Sequence, residues 1–368
     1  MNERTRFLGL DVHKETIVVA VAEDGSEPTL HSTIANRPEA VRKLVREIGG
    51  RGVQVVAAYE AGPTGYAVYR QLVQLGVDAR VVAPSLIPRA PGDKVKTDHR
   101  DAVRLARLLR SGDLVSVWIP DDAHEALRDL VRSRADAKVD LLRARHRLSK
   151  FLLRRGLVPA PGIKAMSLKY QAWLKDLTFS EPAAEVVFQD YRRQVEAAIE
   201  RVRRLESELG HYTQNSPHLP FIAALQSMRG IGLVTAATIA AEVGDVRRFT
   251  TAPQFMAYCG LVPSEYSSGA STHRGRITKT GNSNLRHVLG EAAHHARHQP
   301  RVEGALKQRQ AGVPQHIVDL SWKAQQRLHM RYRHLSARIG RPKALTAVAR
   351  ELAGFVWALG QRMEAPAA

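Results

Sequence analysis

Four acids stand where a divalent cation could be held. Asp98 and Asp101 lie three residues apart in Lys94-Val-Lys-Thr-Asp-His-Arg-Asp101, which runs on into Ala102-Val-Arg-Leu-Ala-Arg-Leu-Leu109. Apolar residues at Val103, Leu105, Ala106, Leu108 and Leu109 give this segment a helical face, with Thr97 as its expected N-cap. The two acids then share one side of the first turn. Acids in a first turn commonly do no more than complement the helix dipole. Here they have company. Two apolar runs that read as strands each end in an acid, Asp11 after Phe7-Leu-Gly-Leu and Glu60 after Val53-Gln-Val-Val-Ala-Ala-Tyr59. Carboxylates converging from strand ends and a helix start make a hard-oxygen cage suited to Mg²⁺, or to Mn²⁺. His13 and His99 lie near these acids in sequence, and neither is assigned a role.

The elements that must position the acids can be read in order. Residues 16–22 form a second strand, joined to the first by His13-Lys-Glu15, and residues 29–34 a weak third. Residues 38–48 have helical spacing, and Gly49-Gly-Arg-Gly52 stops them. After the strand that ends at Glu60, Ala61-Gly-Pro-Thr-Gly65 turns into a helix reaching Leu75; residues 79–83 are another strand and 84–97 a proline-bearing loop. Two successive hairpins followed by helix, strand, helix, strand, loop and helix is the order of an RNase H-like domain. Such a domain carries metal-binding acids at the ends of a mixed sheet. It is expected over residues 1–120.

From residue 121 the character changes to helix without strand signals, and residues 121–215 are expected to form a helical, coiled-coil-like arm between two domains. The arm's helices serve equally well as a dimerisation surface. Between Lys138 and Arg155 there are seven Lys/Arg against one acid, Asp140. That imbalance marks Arg143, Arg145, Arg147, Lys150, Arg154 and Arg155 as candidate phosphate contacts. Residues 216–368 read as a mainly helical domain. In it, Arg229-Gly-Ile-Gly232 opens an apolar helix, a pattern shared by helix-hairpin-helix elements and by plain glycine turns. Ser264-Glu-Tyr-Ser-Ser-Gly269 is followed by a basic loop with Arg274, Arg276 and Lys279, closed by Thr280-Gly-Asn282. His294, His295 and His298 cluster on a helix without the cysteines or acid pair of a zinc site.

Composition sets the class of partner. The 368 residues suffice for two or three domains. A formal charge of +19 favours polyanions, nucleic acid before anionic membrane. No run approaches the roughly 18 apolar residues of a membrane span, and the N-terminus lacks a signal-peptide core. One cysteine, Cys259, leaves no internal disulfide. A soluble, cytoplasmic, nucleoid-associated protein is expected, without a membrane partner.

Two separate blocks resemble one family. The acids with Lys96-Thr-Asp98-x-x-Asp101-Ala102 look like the DEDD transposase domain of bacterial insertion sequences. Residues 230–293, with Gly-Leu-Val-Pro, Tyr-Ser-Ser-Gly and Ile-Thr-Lys-Thr-Gly-Asn, look like the C-terminal domain of the same family, the insertion-sequence 110 type related to Piv invertases. The resemblance covers nearly the whole chain in the family's order. It implies a RuvC-like N-terminal domain whose four acids, Asp11, Glu60, Asp98 and Asp101, bind divalent metal. It also implies a C-terminal serine that becomes joined to DNA. The family pattern puts that serine directly before a glycine, selecting Ser268, with Ser267 as the fallback. A guide RNA pairing with donor and target DNA, and dimers assembling into tetramers, are further implications. The competing reading is a metal-dependent, RuvC-like nuclease or junction resolvase without a covalent intermediate.

Overall fold

The computed structural model describes residues 4–88, 97–269 and 271–363. Residues 89–96, with Lys94 and Lys96 of the acid-bearing stretch, lie outside them. Chain contacts divide the protein into two units, Met1–Ile119 and Pro120–Ala368.

The first unit is a mixed five-stranded sheet flanked by helices. Its strands are β1 (Arg4–Val12), β2 (Thr16–Glu23), β3 (Thr29–Ala35), β4 (Val53–Glu60) and β5 (Asp78–Val82), in the spatial order β3-β2-β1-β4-β5. β1 pairs antiparallel with β2 and parallel with β4. Helices α1 (Pro38–Ile48), α2 (Ala67–Gln74) and α3 (Asp98–Ser111) complete it. Because successive strand residues point to opposite faces, Leu8, Leu10, Ile17 and Val19 pack with Val41, Leu44 and Ile48 of α1 and Leu72 of α2. The other face packs Val56, Ala58 and Val82 against Leu105 and Leu109 of α3. Fully burying one such leucine is worth about 1.5–3 kcal/mol. Gly9 lets α3 sit directly on β1: a Cβ there would overlap the Ala102 carbonyl oxygen and the Ala106 nitrogen.

The second unit begins with two long helices, α4 (Asp122–Leu153) and α6 (Pro182–Gln214). Residues Ala137, Leu141, Ala144, Leu148 and Phe151 of α4 recur at four-three spacing, and Phe188, Val195, Val202 and Leu209 of α6 at seven. These are the periods of a coiled-coil seam. Arg134–Glu206 and Arg201–Asp140 pairs, the latter at 2.9 Å, fix the two helices as antiparallel. Phe151, Phe179, Phe188 and Tyr191 stack around the far end. There a short helix, α5 (Leu168–Lys175), caps the seam within a stretch that sequence periodicity leaves irregular.

The remainder is α7 (Leu219–Gln226), α8 (Leu233–Val243), α9 (Ala252–Tyr258), a hairpin of β6 (Pro263–Ser268) and β7 (Ser271–Ile277), then α10 (Ser283–Ala293), α11 (Gly304–Gln310), α12 (Gln315–Ile339) and α13 (Arg341–Gly360). Every residue of α8 from Ala236 to Val243 is buried, as befits a helix apolar nearly all round. α10 and α13 pack around the same core. The stretch expected to be a basic loop is therefore the β6–β7 hairpin. No helix among the described residues is long and apolar enough to cross a membrane.

Candidate functional site

Strand register and one helix bring the acids of the first unit together. The β1–β4 ladder pairs Leu10 with Tyr59, so Asp11 and Glu60 each take the next position at the ends of neighbouring parallel strands. By alternation they share the face of Gly9 and Ala58, the face on which α3 lies. Thr97 caps α3, its hydroxyl accepting from the Arg100 N–H at 3.3 Å. The first turn of the helix, one turn before the Ala102–Gly9 contact, carries Asp98 and Asp101.

The potential ligand atoms that all lie within 4.8 Å of one another belong to Asp11, His13 and Asp98. His13 Nε2 is 3.2 Å from Asp11 Oδ2 and 3.4 Å from Asp98 Oδ2. Asp11 is 19% exposed and Asp98 60% exposed. Glu60 and Asp101 reach the same end of the sheet but not this set. Asp101 is buried and accepts from Arg104 at 2.6 Å. Burial raises the Asp11 pKa; His13 opposes that rise, while the charges of Asp98 and Asp101 add to it. Crowded carboxylates of this kind fit a hard divalent cation, which would relieve their repulsion. The imidazole suits Mn²⁺ better than Mg²⁺. The short Asp-x-His spacing is the sequence signal that could have placed His13 in the set.

In the second unit the candidate serines sit at the end of β6. Ser268 pairs with Ser271 across the hairpin, and Gly269 follows with φ +56°. Ser267 is engaged: its hydroxyl donates to Glu265 Oε1 at 2.8 Å, and Arg274 Nε donates to Glu265 Oε2 at 3.2 Å. Those bonds from Ser267 and Arg274 hold the Glu265 pKa below the usual glutamate value. Ser268 projects from the opposite face of the strand, beside the exposed Tyr266.

The root of the hairpin is held by a residue that sequence reading missed. Glu242, 1% exposed in the middle of the second unit's core, accepts from Arg132 Nε and Nη2 at 2.9 Å each. It also accepts from Asn282 Nδ2 at 2.7 Å and Asn284 Nδ2 at 2.8 Å. The Tyr258 hydroxyl donates to its carbonyl at 3.1 Å. Burial alone would raise the Glu242 pKa, but the Arg132, Asn282 and Asn284 bonds outweigh it and hold the group ionised. Its only signal in sequence is one acid inside Leu-Val-Thr-Ala-Ala-Thr-Ile-Ala-Ala-Glu-Val.

Comparison with known proteins assigns the chain. A family model for DEDD-type transposases of the IS110 kind matches residues 8–155, and one described as "Transposase IS116/IS110/IS902 family" matches residues 222–306. A transposase-named protein of Sinorhizobium fredii, y4qE, is 41% identical over 97% of this chain and 89% of its own length. The transposase for insertion sequence element IS1533 of Leptospira borgpetersenii is 32% identical over 90% of this chain and 97% of its own. This chain belongs to the IS110 transposase family. The first matched segment contains the Asp11, Glu60, Asp98 and Asp101 positions and Arg132, and the second contains the hairpin with Ser268 and Glu242 with its Asn282 and Asn284 partners.

The basic residues of this transposase that the sequence marks as phosphate contacts fall into two groups. On α4 and its C-cap, Arg143, Arg147, Lys150 and Arg154 are exposed and spaced four-three-four along one face, while Arg145 is half-buried. Arg155 lies over the Phe151 ring at 3.8 Å, so packing occupies its guanidinium. On and beside the hairpin, Arg274, Arg276 and Lys279 are exposed, with Arg274 tied to Glu265 and Lys279 held at φ +56°. A further set of potential ligands, Asp121, His124 and His218, lies at the start of α4. Its imidazoles are 3.9 Å apart, centroid to centroid, nearer than the spacing of about 5 Å expected for two rings on one tetrahedral ion. Asp121 caps α4 instead, accepting from the His124 N–H at 2.7 Å.

Proposed function

We propose that this IS110-family transposase cuts and rejoins DNA strands through a covalent intermediate on Ser268, assisted by a divalent cation at the acids of an RNase H-like, RuvC-like first unit. The observation that carries the reading is the meeting of Asp11, Asp98 and His13, with Glu60 ending the adjacent strand, on a mixed sheet of order β3-β2-β1-β4-β5. Asp11, Glu60, Asp98 and Asp101 would hold Mg²⁺ or Mn²⁺, with His13 beside them. An ion there would supply electrostatic stabilisation of the charge that develops on the phosphoryl oxygens.

The Ser268 hydroxyl supplies the nucleophile. It forms a bond to phosphorus while the bond from phosphorus to one strand-end oxygen breaks, and that end leaves as a free hydroxyl. Reversal by a different hydroxyl end joins new partners, and the phosphodiester energy is kept throughout. Ser268 is favoured over Ser267 because the Ser267 hydroxyl is locked to Glu265, itself tied to Arg274 and too acidic to serve as a good base. Arg274, Arg276 and Lys279 would hold phosphates at the hairpin, and Arg143, Arg147, Lys150 and Arg154 those along the arm, while the half-buried Arg145 and the Phe151-stacked Arg155 support that face. A structured guide RNA pairing with donor and target DNA, and a homodimer assembling to a tetramer, complete the reading.

A denaturing-gel trap tests it. Full-length protein, with any co-purifying RNA retained, is incubated with Mg²⁺ or Mn²⁺ and labelled DNA carrying the element's junction. A protein–DNA adduct lost in Ser268→Ala and Asp11→Ala but kept in Ser267→Ala is the expected result. Adduct lost in Ser267→Ala alone would move the nucleophile by one residue. Free cleavage products without adduct, unchanged in Ser268→Ala, would establish the metal-dependent nuclease instead.

A further inference from the structure

An open cleft of about 490 Å³ lies in the second unit between the Arg229-Gly-Ile-Gly232 turn and the segment that includes α11. Three guanidiniums line it, those of Arg229, Arg301 and Arg309, against a single carboxylate, Glu303. Two of the three are fixed by backbone carbonyls, not by acids. Arg229 donates to the carbonyls of His298 and Gln299, and Arg309 Nε to that of Gln226 at 3.1 Å. Arg301 pairs with Glu303 at 3.4 Å. Burial depresses the Arg229 pKa and the neighbouring Arg301 charge depresses it further, with Glu303 opposing; burial does the same to Arg309. Burial, then the charges of Arg229, His298, Arg297 and Arg309, push His295 on the cleft wall below the usual histidine value.

Cations fixed side by side, partly desolvated and outnumbering their acids, are arranged for an anion that comes from outside. The N-terminus of α8, capped by Gly232 without a side-chain bond, contributes partial charge of the same sign. The shape selects among anions. The lining holds no phenyl, phenol or indole ring, only Leu306 as an apolar side chain and only His295 as an aromatic one, so the cleft offers a nucleic acid charge for its phosphates rather than a run of stacking platforms for its bases. Nor is the cleft closed around a small ligand. We propose that it grips a phosphodiester of a duplex DNA backbone, giving the transposase a sequence-independent contact through Arg229, Arg301 and Arg309. The inference rests on DNA being the substrate, but not on the serine or the metal.

The experiment measures binding of the full-length protein to a 20-base-pair duplex by fluorescence anisotropy, in EDTA and across a salt series. Arg301→Gln and Glu303→Gln are compared with wild type. Arg301 is chosen because its side chain is 67% exposed and the carbonyls that hold Arg229 and Arg309 belong to other residues. Arg301→Gln is expected to weaken binding several-fold and to lower the salt slope by about 1, uniformly across sequences. Glu303→Gln, which removes the competing anion, is expected to tighten it. Opposite signs from two neighbouring substitutions cannot come from misfolding. Identical affinities and slopes in all three proteins would overturn the proposal. So would a larger effect of Arg301→Gln on a single strand of equal length, or on a nucleoside monophosphate, than on the duplex. Because EDTA removes the metal, failure of the strand-transfer reading registers in the gel trap and not in this titration.

Discussion

Glu242 gathers four hydrogen bonds on one carboxylate, more than any other acid among the described residues of the second unit. Its carboxylate joins Arg132 on the arm helix to Asn282 and Asn284 at the foot of the serine hairpin. Replacing it by Gln keeps the shape but removes the charge that satisfies four donor nitrogens of three residues, and should cost about 2 kcal/mol of stability. The pH dependence follows from its depressed pKa. An unfolded glutamate titrates near 4.5 and the folded group lower. Its stabilisation is therefore complete above pH 4.5 and is lost as pH falls from there through the folded value. Thermal melts of wild type and Glu242→Gln should differ most at neutral pH and converge in acid; a constant gap would show that the charge contributes nothing. This residue was illegible in sequence because its partners lie 40, 42 and 110 positions away. Asp11 and Glu60 were legible for the opposite reason, since each ends its own apolar strand.

At the scale of elements, what the sequence disclosed was periodicity. The central strands of the first unit are short, nearly continuous apolar runs, the long helices of the arm are apolar at spacings of three and four, and each lies close to where its pattern places it. The β6–β7 hairpin has no such pattern: Glu265 to Ser268 are all exposed, so neither face carries the alternation that identifies a half-buried strand. α5 is one residue more than two turns long, too short for a period, and its readable signal was Ser167, which caps it. The seat of α3 is sensitive to a single atom. Gly9→Ala would drive a methyl group into the α3 backbone at Ala102 and Ala106, costing about 1–3 kcal/mol or more. It would also push Asp98 away from Asp11. The expected result is a lowered denaturation midpoint together with weakened Mn²⁺ binding by calorimetry. Unchanged Mn²⁺ affinity in a destabilised Gly9→Ala protein would separate α3 packing from the ion site.

At the scale of the whole molecule, charge decides how tightly DNA is held and how that grip responds to salt. An excess of 19 positive charges is spread over the chain, but the structure shows that only part of it is available. Arg132, Arg134 and Arg201 hold acids within the second unit, and Arg155 stacks on Phe151. The stripe of Arg143, Arg147, Lys150 and Arg154 on α4 and its C-cap is different: among the described residues its one ion pair is with Asp140, 3.5 Å from Arg143 and shared with Arg201. If these four side chains meet phosphates, each displaces about one condensed counterion. Changing all four to Gln should then lower the slope of log affinity against log salt by about 3–4, at unchanged melting temperature. A drop of that size on both DNA and RNA duplexes would assign the stripe to backbone contact with either nucleic acid. A drop on RNA alone would make the arm the seat of the guide. No drop on either would leave the stripe as a solvated face and place the nucleic-acid grip on the second unit's cleft and hairpin.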